Sequence, residues 1–239
     1  MLNLHALQDN HNTNEISTSV LVHELRNPLT ILKSTLQLIE KKEPNIKSIK
    51  YWDQIDCLIS DMENIMCCAS ESSNFQAIDV SSVDLFELFI ELYNNFKPFA
   101  DSQGIKLIMN INEDFSPILT NFQCDRGCIK QVLSNIVKNA FDATVKGNYI
   151  SIDILQCSHE NNTNNILISI VNNGAPIPHD LLGDIFSPFV SHKLNGNGIG
   201  LALSKKIINL HKGDIKVTSE KKITNFTISL PFDDDLILF

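Results

Sequence analysis

The chain has 239 residues, 43% of them hydrophobic and 20% charged, a composition typical of a globular protein with one large or two small domains. Its formal net charge of −9 argues against a nucleic-acid partner, because affinity for a phosphate backbone comes mainly from Lys and Arg. No apolar run approaches the roughly 18–20 residues that cross a bilayer, and no basic segment followed by an apolar core opens the chain. We therefore expect no membrane span and a cytoplasmic protein.

A long amphipathic helix is predicted from about Glu15 to Glu40. Its apolar residues recur every three or four positions, at Leu21, Leu25, Leu29, Leu32, Leu36 and Ile39. After a polar break with Pro44, a second apolar seam follows at Tyr51, Ile55, Leu58, Met62 and Ile65. Two such helices with a short connection form an antiparallel hairpin. One hairpin buries too little surface to stand alone, so we predict a homodimeric four-helix bundle.

The stretch VHELRNPLT (22–30) places a histidine and a proline on this first helix. At 100° per residue, His23 lies about 200° from Leu21 around the helix, so we predict that it faces solvent. A buried core histidine is thereby disfavoured. Pro28 lacks an N–H group and its ring clashes with the carbonyl of Glu24, so we expect a kink one turn after His23.

The second half alternates strand and helix patterns. They predict a helix capped by Ser81 or Ser82, a strand at 104–112, a helix at 125–146, strands at 149–156 and 166–173, a helix at 200–213, and a closing hairpin at 214–220 and 225–232. The polar stretch CSHENNTNN is predicted to be the loop between the two middle strands. This order indicates an α/β sandwich with helices on one face of a mixed sheet, and an α+β protein as a whole.

The stretch NIVKNAFDA (135–143) is the first of three that carry chemistry. Asn135, Asn139 and Asp142 are spaced by four and three residues, so they share a helix face. Amide oxygens are hard ligands suited to Mg²⁺, and Lys138 beside them can reach a phosphate. The alternative is a solvated polar helix face.

The second and third stretches are VNNGAPIP (171–178) and GNGIGLAL (196–203). In the second, a polar side chain ends an apolar strand before Gly174, where it can approach a purine edge; the alternative is a plain Gly-Pro turn. In the third, Gly196, Gly198 and Gly200 open a helix, where backbone N–H groups and the helix dipole favour phosphate. The lysine and hydroxyl of the common phosphate-binding loop are missing.

Taken in order and beside IFSPFVSHK (185–193), these stretches resemble the motifs of two-component sensor histidine kinases. HELRNPLT is similar to their H box, NIVKNA to the N box, NNGAPI to the first G box, FSPF to the F box and GNGIGL to the second G box. The resemblance covers about residues 15–232. It implies a tail at 1–14, a dimerisation and phosphoacceptor hairpin at 15–72, an ATP-binding domain of the gyrase and heat-shock-chaperone type at 73–232, and a tail at 233–239.

The resemblance implies a site for ATP and Mg²⁺. Asn139 would ligate the metal, with Asn135 supporting it, and Asn172 beside Gly174 would meet the adenine amino group. The remaining binding residues implied are Lys138, Asp142 and Lys193 near the phosphates, Phe186 and Phe189 as anchors of a lid, and Gly196, Gly198, Gly200 and Leu201 around the triphosphate.

The implied activity is that of a protein-histidine kinase, with His23 attacking the γ-phosphoryl group and Glu24 accepting a proton from its ring. Hydrolytic relatives carry a glutamate base where this chain has Asn135, and an amide cannot take a proton from water. The phosphoryl group would pass to an aspartate of a response-regulator receiver domain, and Glu24 with Asn27 matches the family's phosphatase pattern. A separate sensor protein is one route for the signal.

Two positions depart from the family pattern. Most relatives have aspartate at the position of Asn172 and glycine at that of Pro176. An amide keeps an acceptor oxygen but lacks charge assistance, a loss of about 1 kcal/mol. Two alternatives therefore stay open: a non-enzymatic phosphotransfer scaffold with a degenerate ATP domain, and an ATPase clamp of the gyrase type.

Overall fold

The structure is a computed structural model that describes residues 18–43, 45–46, 49, 52, 55, 58–59, 62–63, 66, 78–111, 116–160, 163–190 and 198–232. The chain divides into two compact units, Met1–Asn74 and Phe75–Phe239. Lys193, Gly196 and both predicted tails lie outside the described residues, as do Tyr51 and Ile65 of the second seam. Among the described residues, no helix is long and apolar enough to cross a membrane.

The N-terminal unit contains helix α1, Thr18–Lys42, which runs through Pro28. It ends two residues after the predicted end, while the predicted start, Glu15, lies outside the described residues. The hydroxyl groups of Thr30 and Thr35 donate to the carbonyls four residues earlier, of Arg26 at 2.9 Å and Ile31 at 2.8 Å. His23 belongs to this helix. Its side chain lies outside the described part of the structure, so its exposure to solvent stays a prediction.

The buried core of this unit differs from the predicted second seam. Leu29, Ile59 and Met66 form a buried cluster against which Leu36 packs. The residues predicted to line the second seam are instead exposed, by 36% at Ile55, 62% at Leu58 and 51% at Met62. A helix contacts one neighbour along one stripe, and residues seven apart, such as Ile59 and Met66, lie on that stripe.

Polar contacts link α1 to the following segment at two levels. The indole Nε1 of Trp52 donates to Glu40 at 3.0 Å, and Lys33 pairs with Glu63 at 2.8 Å. The Lys33 and Glu63 side chains are about half exposed, so this ion pair contributes little stability beyond orientation. Leu25 and Leu32 stay exposed by 48% and 47%, so part of the predicted first seam is also uncovered in the single chain.

The C-terminal unit contains seven strands and four helices within the described ranges. They are β1 Ser81–Val83, α2 Leu85–Gln103, β2 Lys106–Ile111, α3 Ser116–Thr120, β3 Phe122–Cys124, α4 Arg126–Ala143, β4 Tyr149–Glu160, β5 Thr163–Asn172, α5 Gly200–Leu210, β6 Asp214–Glu220 and β7 Ile223–Phe232. The main sheet has the order β2-β4-β5-β7-β6. Only β2 and β4 pair in parallel among its neighbours, so the predicted mixed sheet is confirmed.

The sheet has one apolar and one polar face. Alternate residues of its three central strands are buried: Ile150, Ile152, Ile154, Ile166, Ile168, Ile170, Phe226, Ile228 and Leu230. On the other face Ser169 donates to Asn225 at 2.6 Å, and Ser151 donates to Asp153 at 2.5 Å. Since α2, α4 and α5 present buried apolar residues, they cover the apolar face. This is the predicted sandwich.

Three local predictions were wrong. The cap of α2 is Asp84, which accepts from the N–H of Glu87 at 2.9 Å, whereas Ser81 and Ser82 lie in β1. Helix α4 ends at Ala143 instead of 146, because Thr144 is already extended. The stretch CSHENNTNN is mainly a strand ladder that continues to Glu160 opposite Thr163, because paired backbone groups satisfy one another whatever the side chains are.

Helices α4 and α5 are joined where α4 begins and α5 ends. Asp125 caps α4 by accepting from the N–H of Cys128 at 3.0 Å, and its second oxygen accepts from the N–H of Asp79 at 3.0 Å. Its own N–H donates to Nε2 of His211, also at 3.0 Å, and Nδ1 of His211 lies 2.8 Å from the Ile207 carbonyl. A neutral His211 with its proton on Nδ1 satisfies both contacts.

Replacing Asp125 tests this junction. We expect Asp125→Ala to lower the free energy of unfolding by about 1–3 kcal/mol, because a cap and a second hydrogen bond are lost. Asp84→Ala is the matched control, since it removes the cap alone and should cost about 1 kcal/mol. Urea unfolding followed by circular dichroism measures both, and equal losses would contradict a special role of Asp125.

Acid should weaken the same junction. Burial raises the pKa of the Asp125 carboxyl, but hydrogen bonds from the Cys128, Asp79 and Gly127 N–H groups outweigh it and leave the pKa below its ordinary value. The stability from this carboxylate is therefore present above the unfolded pKa of about 3.9 and is lost as pH falls through the folded value. Asp125→Asn cannot titrate, so its unfolding free energy should fall less than that of the wild type between pH 5 and pH 3.

Candidate functional site

Asn135 of α4 lies against the first turn of α5. Its Nδ2 donates to Oγ of Ser204 at 2.9 Å, and that hydroxyl donates to the carbonyl of Gly200 at 2.9 Å. A Cβ atom on Gly200 would lie 2.4 Å from Oδ1 of Asn135, closer than any real contact. The glycine therefore permits an amide of α4 to sit directly beside the N-terminus of α5.

The predicted ligand face of α4 continues from Asn135 toward its C-terminus. Asn139, one turn later, is half-buried, while Lys138 and Asp142 are exposed. Amide oxygens at this spacing suit a hard divalent cation that keeps waters and phosphates among its other ligands. Among the described residues, no cluster of three or more His, Cys, Asp or Glu side chains could hold a metal by itself.

The N-terminus of α5 has no side-chain cap. Ile199 stands at the cap position without a side-chain hydrogen bond, so within the described part of the chain the cap residue provides no acceptor for the N–H groups of the first turn, which includes Leu201. Gly198 adopts a positive φ of 64°, and its carbonyl accepts from the N–H of Phe189 at 3.0 Å. An uncapped helix start of this kind, entered through glycine, suits an anion such as phosphate.

Asn172 is a buried amide at the end of β5. It continues the inward row of Ile166, Ile168 and Ile170 and is 2% exposed. Within the described part of the chain, its Nδ2 atom has no hydrogen-bond partner. A buried unpaired donor costs about 1–3 kcal/mol, which a ligand acceptor would recover.

Gly174 fixes the backbone beside this amide. A Cβ atom there would lie 1.9 Å from the carbonyl oxygen of Ala143 and 3.0 Å from Nδ2 of Asn172. The N–H of Ala175 donates to the same carbonyl at 2.7 Å. The end of β5 and the end of α4 are thereby held in direct backbone contact, with Asn172 beside them.

The two aromatic residues predicted to anchor a lid lie in different environments. The ring of Phe186 is half-buried and meets Phe226 edge-on, with centroids 6.4 Å apart. Nζ of Lys205 lies 5.8 Å from the Phe186 centroid and also binds Asp214, whose pKa is lowered mainly by that hydrogen bond. Phe189 is 63% exposed and has a positive φ of 65°. Phe186 is therefore packed, while Phe189 is not.

Several polar residues that support the site were not predicted. Ser204 bridges α4 and α5, Lys205 holds the Phe186 ring, and Ser219 and Thr224 share a hydrogen bond of 2.8 Å close to β5. Ser204 and Thr224 are 2% and 3% exposed. A hydroxyl on the apolar face of a helix or strand is the signal that could have indicated them.

The fold and site define an α/β sandwich that can bind a phosphate-bearing ligand at a glycine-entered helix start. Residues 124–234 match the family "Histidine kinase-, DNA gyrase B-, and HSP90-like ATPase". Over 87% of its length the chain is 28% identical to sporulation kinase D of Bacillus subtilis (strain 168), of which it covers 40%.

Solved structures give the same relationship. The catalytic domain of histidine kinase ThkA is 32% identical, with a TM-score of 0.55, and the match covers 64% of this chain and 95% of that one. ThkA in complex with response regulator protein TrrA is 28% identical, with a TM-score of 0.57, and the match covers 91% of this chain and 61% of that one.

The chain belongs to the histidine kinase family and contains the catalytic core of a two-component sensor kinase. The resemblance to two-component sensor histidine kinases is thereby confirmed. The chain spans less than half the length of sporulation kinase D.

Replacing Gly198 by alanine tests the entry into α5. The added Cβ would lie 2.6 Å from the backbone of Phe189 and Val190, so we expect overpacking to cost about 1–3 kcal/mol besides about 1–2 kcal/mol for the positive φ. Gly147→Ala is the matched control, because Gly147 has a φ of 88° with open space around it. Equal losses in urea unfolding would show that the contact with Phe189 and Val190 is unimportant.

Proposed function

We propose that this protein is an ATP-dependent histidine kinase that phosphorylates its own His23 and transfers the phosphoryl group to an aspartate of a response-regulator receiver domain. The observation that carries the proposal is the contact between Asn135 and Gly200. It sets the amide face of α4 against the uncapped start of α5, in a chain that also carries the histidine helix. The ThkA–TrrA complex supports a receiver domain as the partner.

In this proposal the nucleotide lies between α4, the start of α5 and the end of β5. The N–H groups around Gly198, Gly200 and Leu201 would hold the triphosphate, with Lys138, Asp142, Lys193 and Gly196 around it. Asn172 would meet the adenine edge beside Gly174. Asn139, supported by Asn135, would hold Mg²⁺, which supplies neutralisation of phosphate charge when bound.

The proposed transfer needs positioning more than proton chemistry. The Nε2 lone pair of His23 attacks the γ-phosphorus; an N–P bond forms, the bond to the β–γ bridging oxygen breaks, and ADP leaves with that electron pair. Glu24, exposed on α1, accepts the Nδ1 proton. A carboxylate oxygen of the receiver aspartate then attacks the phosphorus, the N–P bond breaks with its electron pair left on Nε2, and Glu24 returns the proton to Nδ1, which regenerates neutral His23. Asn135 provides no base for water, so hydrolysis stays slow.

Two further properties belong to the proposal. Leu25, Leu32, Leu58 and Met62 expose about half or more of their surface on one short hairpin, which supports a homodimer closed into a four-helix bundle. A monomeric sedimentation coefficient at micromolar concentration would contradict the dimer. A separate sensor protein would deliver the signal to this bundle.

Radiolabel from γ-labelled ATP tests the kinase. We expect acid-labile label on the wild type and none on His23→Gln, while His179→Gln, which changes an exposed histidine elsewhere, keeps the label. No label from ATP, with label accepted from a phosphorylated receiver domain, would favour the phosphotransfer scaffold. Steady ATP turnover that survives in His23→Gln would favour the ATPase clamp.

Asn27 tests the proposed phosphatase activity. It is exposed on α1, four residues after His23, and its amide would orient the water that attacks a phosphorylated aspartate. We expect Asn27→Ala to gain label from ATP at a nearly normal rate but to dephosphorylate a receiver domain at least about tenfold more slowly, which corresponds to a barrier higher by about 1.4 kcal/mol. Ser34→Ala, seven residues on, is the control and should leave both rates unchanged.

A further inference from the structure

We propose that Asn172 lets the nucleotide site bind 6-oxopurine nucleotides, such as those of hypoxanthine and guanine, in addition to adenine nucleotides. The inference rests on the proposed function, since it concerns the base that the same site reads. It assigns Asn172 a role in substrate specificity.

The amide of Asn172 has a donor that no described residue uses. The side chain is 98% buried, and Nδ2 has no partner among the described residues. Thr224 stands opposite in the strand register, but its hydroxyl bonds Ser219 at 2.8 Å. Ser219 in turn accepts from the N–H of Ile177 at 2.8 Å. The neighbouring hydroxyl groups therefore bind one another and the loop, so Nδ2 has no partner among the described residues to lose if the amide rotates.

An amide and a carboxylate read a purine edge differently. Adenine presents a donor at its 6-amino group and an acceptor at N1, whereas a 6-oxopurine presents an acceptor at O6 and a donor at N1. A carboxylate only accepts, so it pairs with the adenine amino group and repels O6. An amide carries an acceptor and a donor group. Rotation of the side-chain amide exchanges the positions of its oxygen and nitrogen, so it can match either base. For Asn172 that rotation breaks no hydrogen bond at Nδ2.

The backbone around Asn172 is held in place, so we infer that the base specificity depends on the Asn172 side chain. The wall beside the amide is Gly174, held against the Ala143 carbonyl through the N–H of Ala175 at 2.7 Å. A Cβ on Gly174 would collide with that carbonyl at 1.9 Å, so the two backbones already touch and cannot close further. A base that enters here meets a rigid wall and one amide that can turn, so the amide determines which edge is accepted.

Three nucleotides separate the possible readings in the wild-type protein. Calorimetric titration of the full chain with ATP, inosine triphosphate and purine riboside triphosphate, each with Mg²⁺, compares an amino group, an oxo group and neither at position 6. We expect ATP and inosine triphosphate to bind within about fivefold of each other. Purine riboside triphosphate should bind at least about fivefold more weakly than both, since one hydrogen bond is lost.

Asn172→Asp provides the matched variant. Its carboxylate should keep ATP affinity within about fivefold but weaken inosine triphosphate by at least about tenfold, because an acceptor then faces O6. Thermal unfolding checks that the variant is folded. If it is not, the ranking of the three nucleotides on the wild type decides alone. Guanosine triphosphate presents the same O6 and N1 groups, so we expect it to bind within about fivefold of inosine triphosphate.

The outcomes distinguish this inference from the proposed function. If ATP binds and inosine triphosphate binds more than about tenfold more weakly to the wild type, the inference is overturned and the ATP site stands. Equal affinity for all three nucleotides also overturns it, because the site would then ignore position 6. If no nucleotide binds, the proposed function fails and the inference fails with it.

Discussion

The antiparallel packing of α4 against α5 is the constraint on which the site depends. At one end the N–H of Asp125 donates to His211, and at the other Asn135 reaches Ser204 beside Gly200. These contacts fix the position of one helix along the other, because His211 and Ser204, which make them, are buried. The helix that carries Asn135 and Asn139 and the helix that begins at Gly200 are thus held side by side. A shift of one turn, about 5.4 Å, would separate Asn135 from Gly200 and divide the site.

The buried amide of Asn172 lowers the stability of the fold, at a position where we propose that a ligand binds. Its neighbours along the inward row of β5 are isoleucines, and another isoleucine at that position would bury apolar surface without an unpaired donor. An unpaired buried amide instead costs about 1–3 kcal/mol. The same fold satisfies nearly every other buried polar side chain that the structure describes, including Ser204, Ser169 and His211. The exception falls at the residue that we propose reads the base, and local exceptions of this kind are expected at functional sites.

The N-terminal unit has a smaller buried core than the C-terminal unit. Its single-chain core is small, with Leu29, Ile59 and Met66 at its centre, and large apolar side chains remain exposed on both of its segments. The C-terminal unit instead buries two apolar layers, the sheet face and the helix faces that cover it. The two units thus differ, since the C-terminal unit covers its apolar sheet face with its own helices, while the N-terminal unit leaves large apolar side chains exposed within one chain.

The sequence by itself determined the family, the mixed sheet and the main helices, because ordered motifs and apolar periodicity are local properties. It also predicted binding roles for Asn135, Asn172 and Gly200, through the resemblance of the motifs that contain them to those of the family. Only the tertiary structure decided that Asp84 caps α2, because β1 pairs with β3 some forty residues away. It alone placed Ser204 against Asn135, packed Phe186 while leaving Phe189 exposed, and left the Asn172 donor unpaired. Each of these depends on which distant residues become neighbours, and no local pattern contains that information.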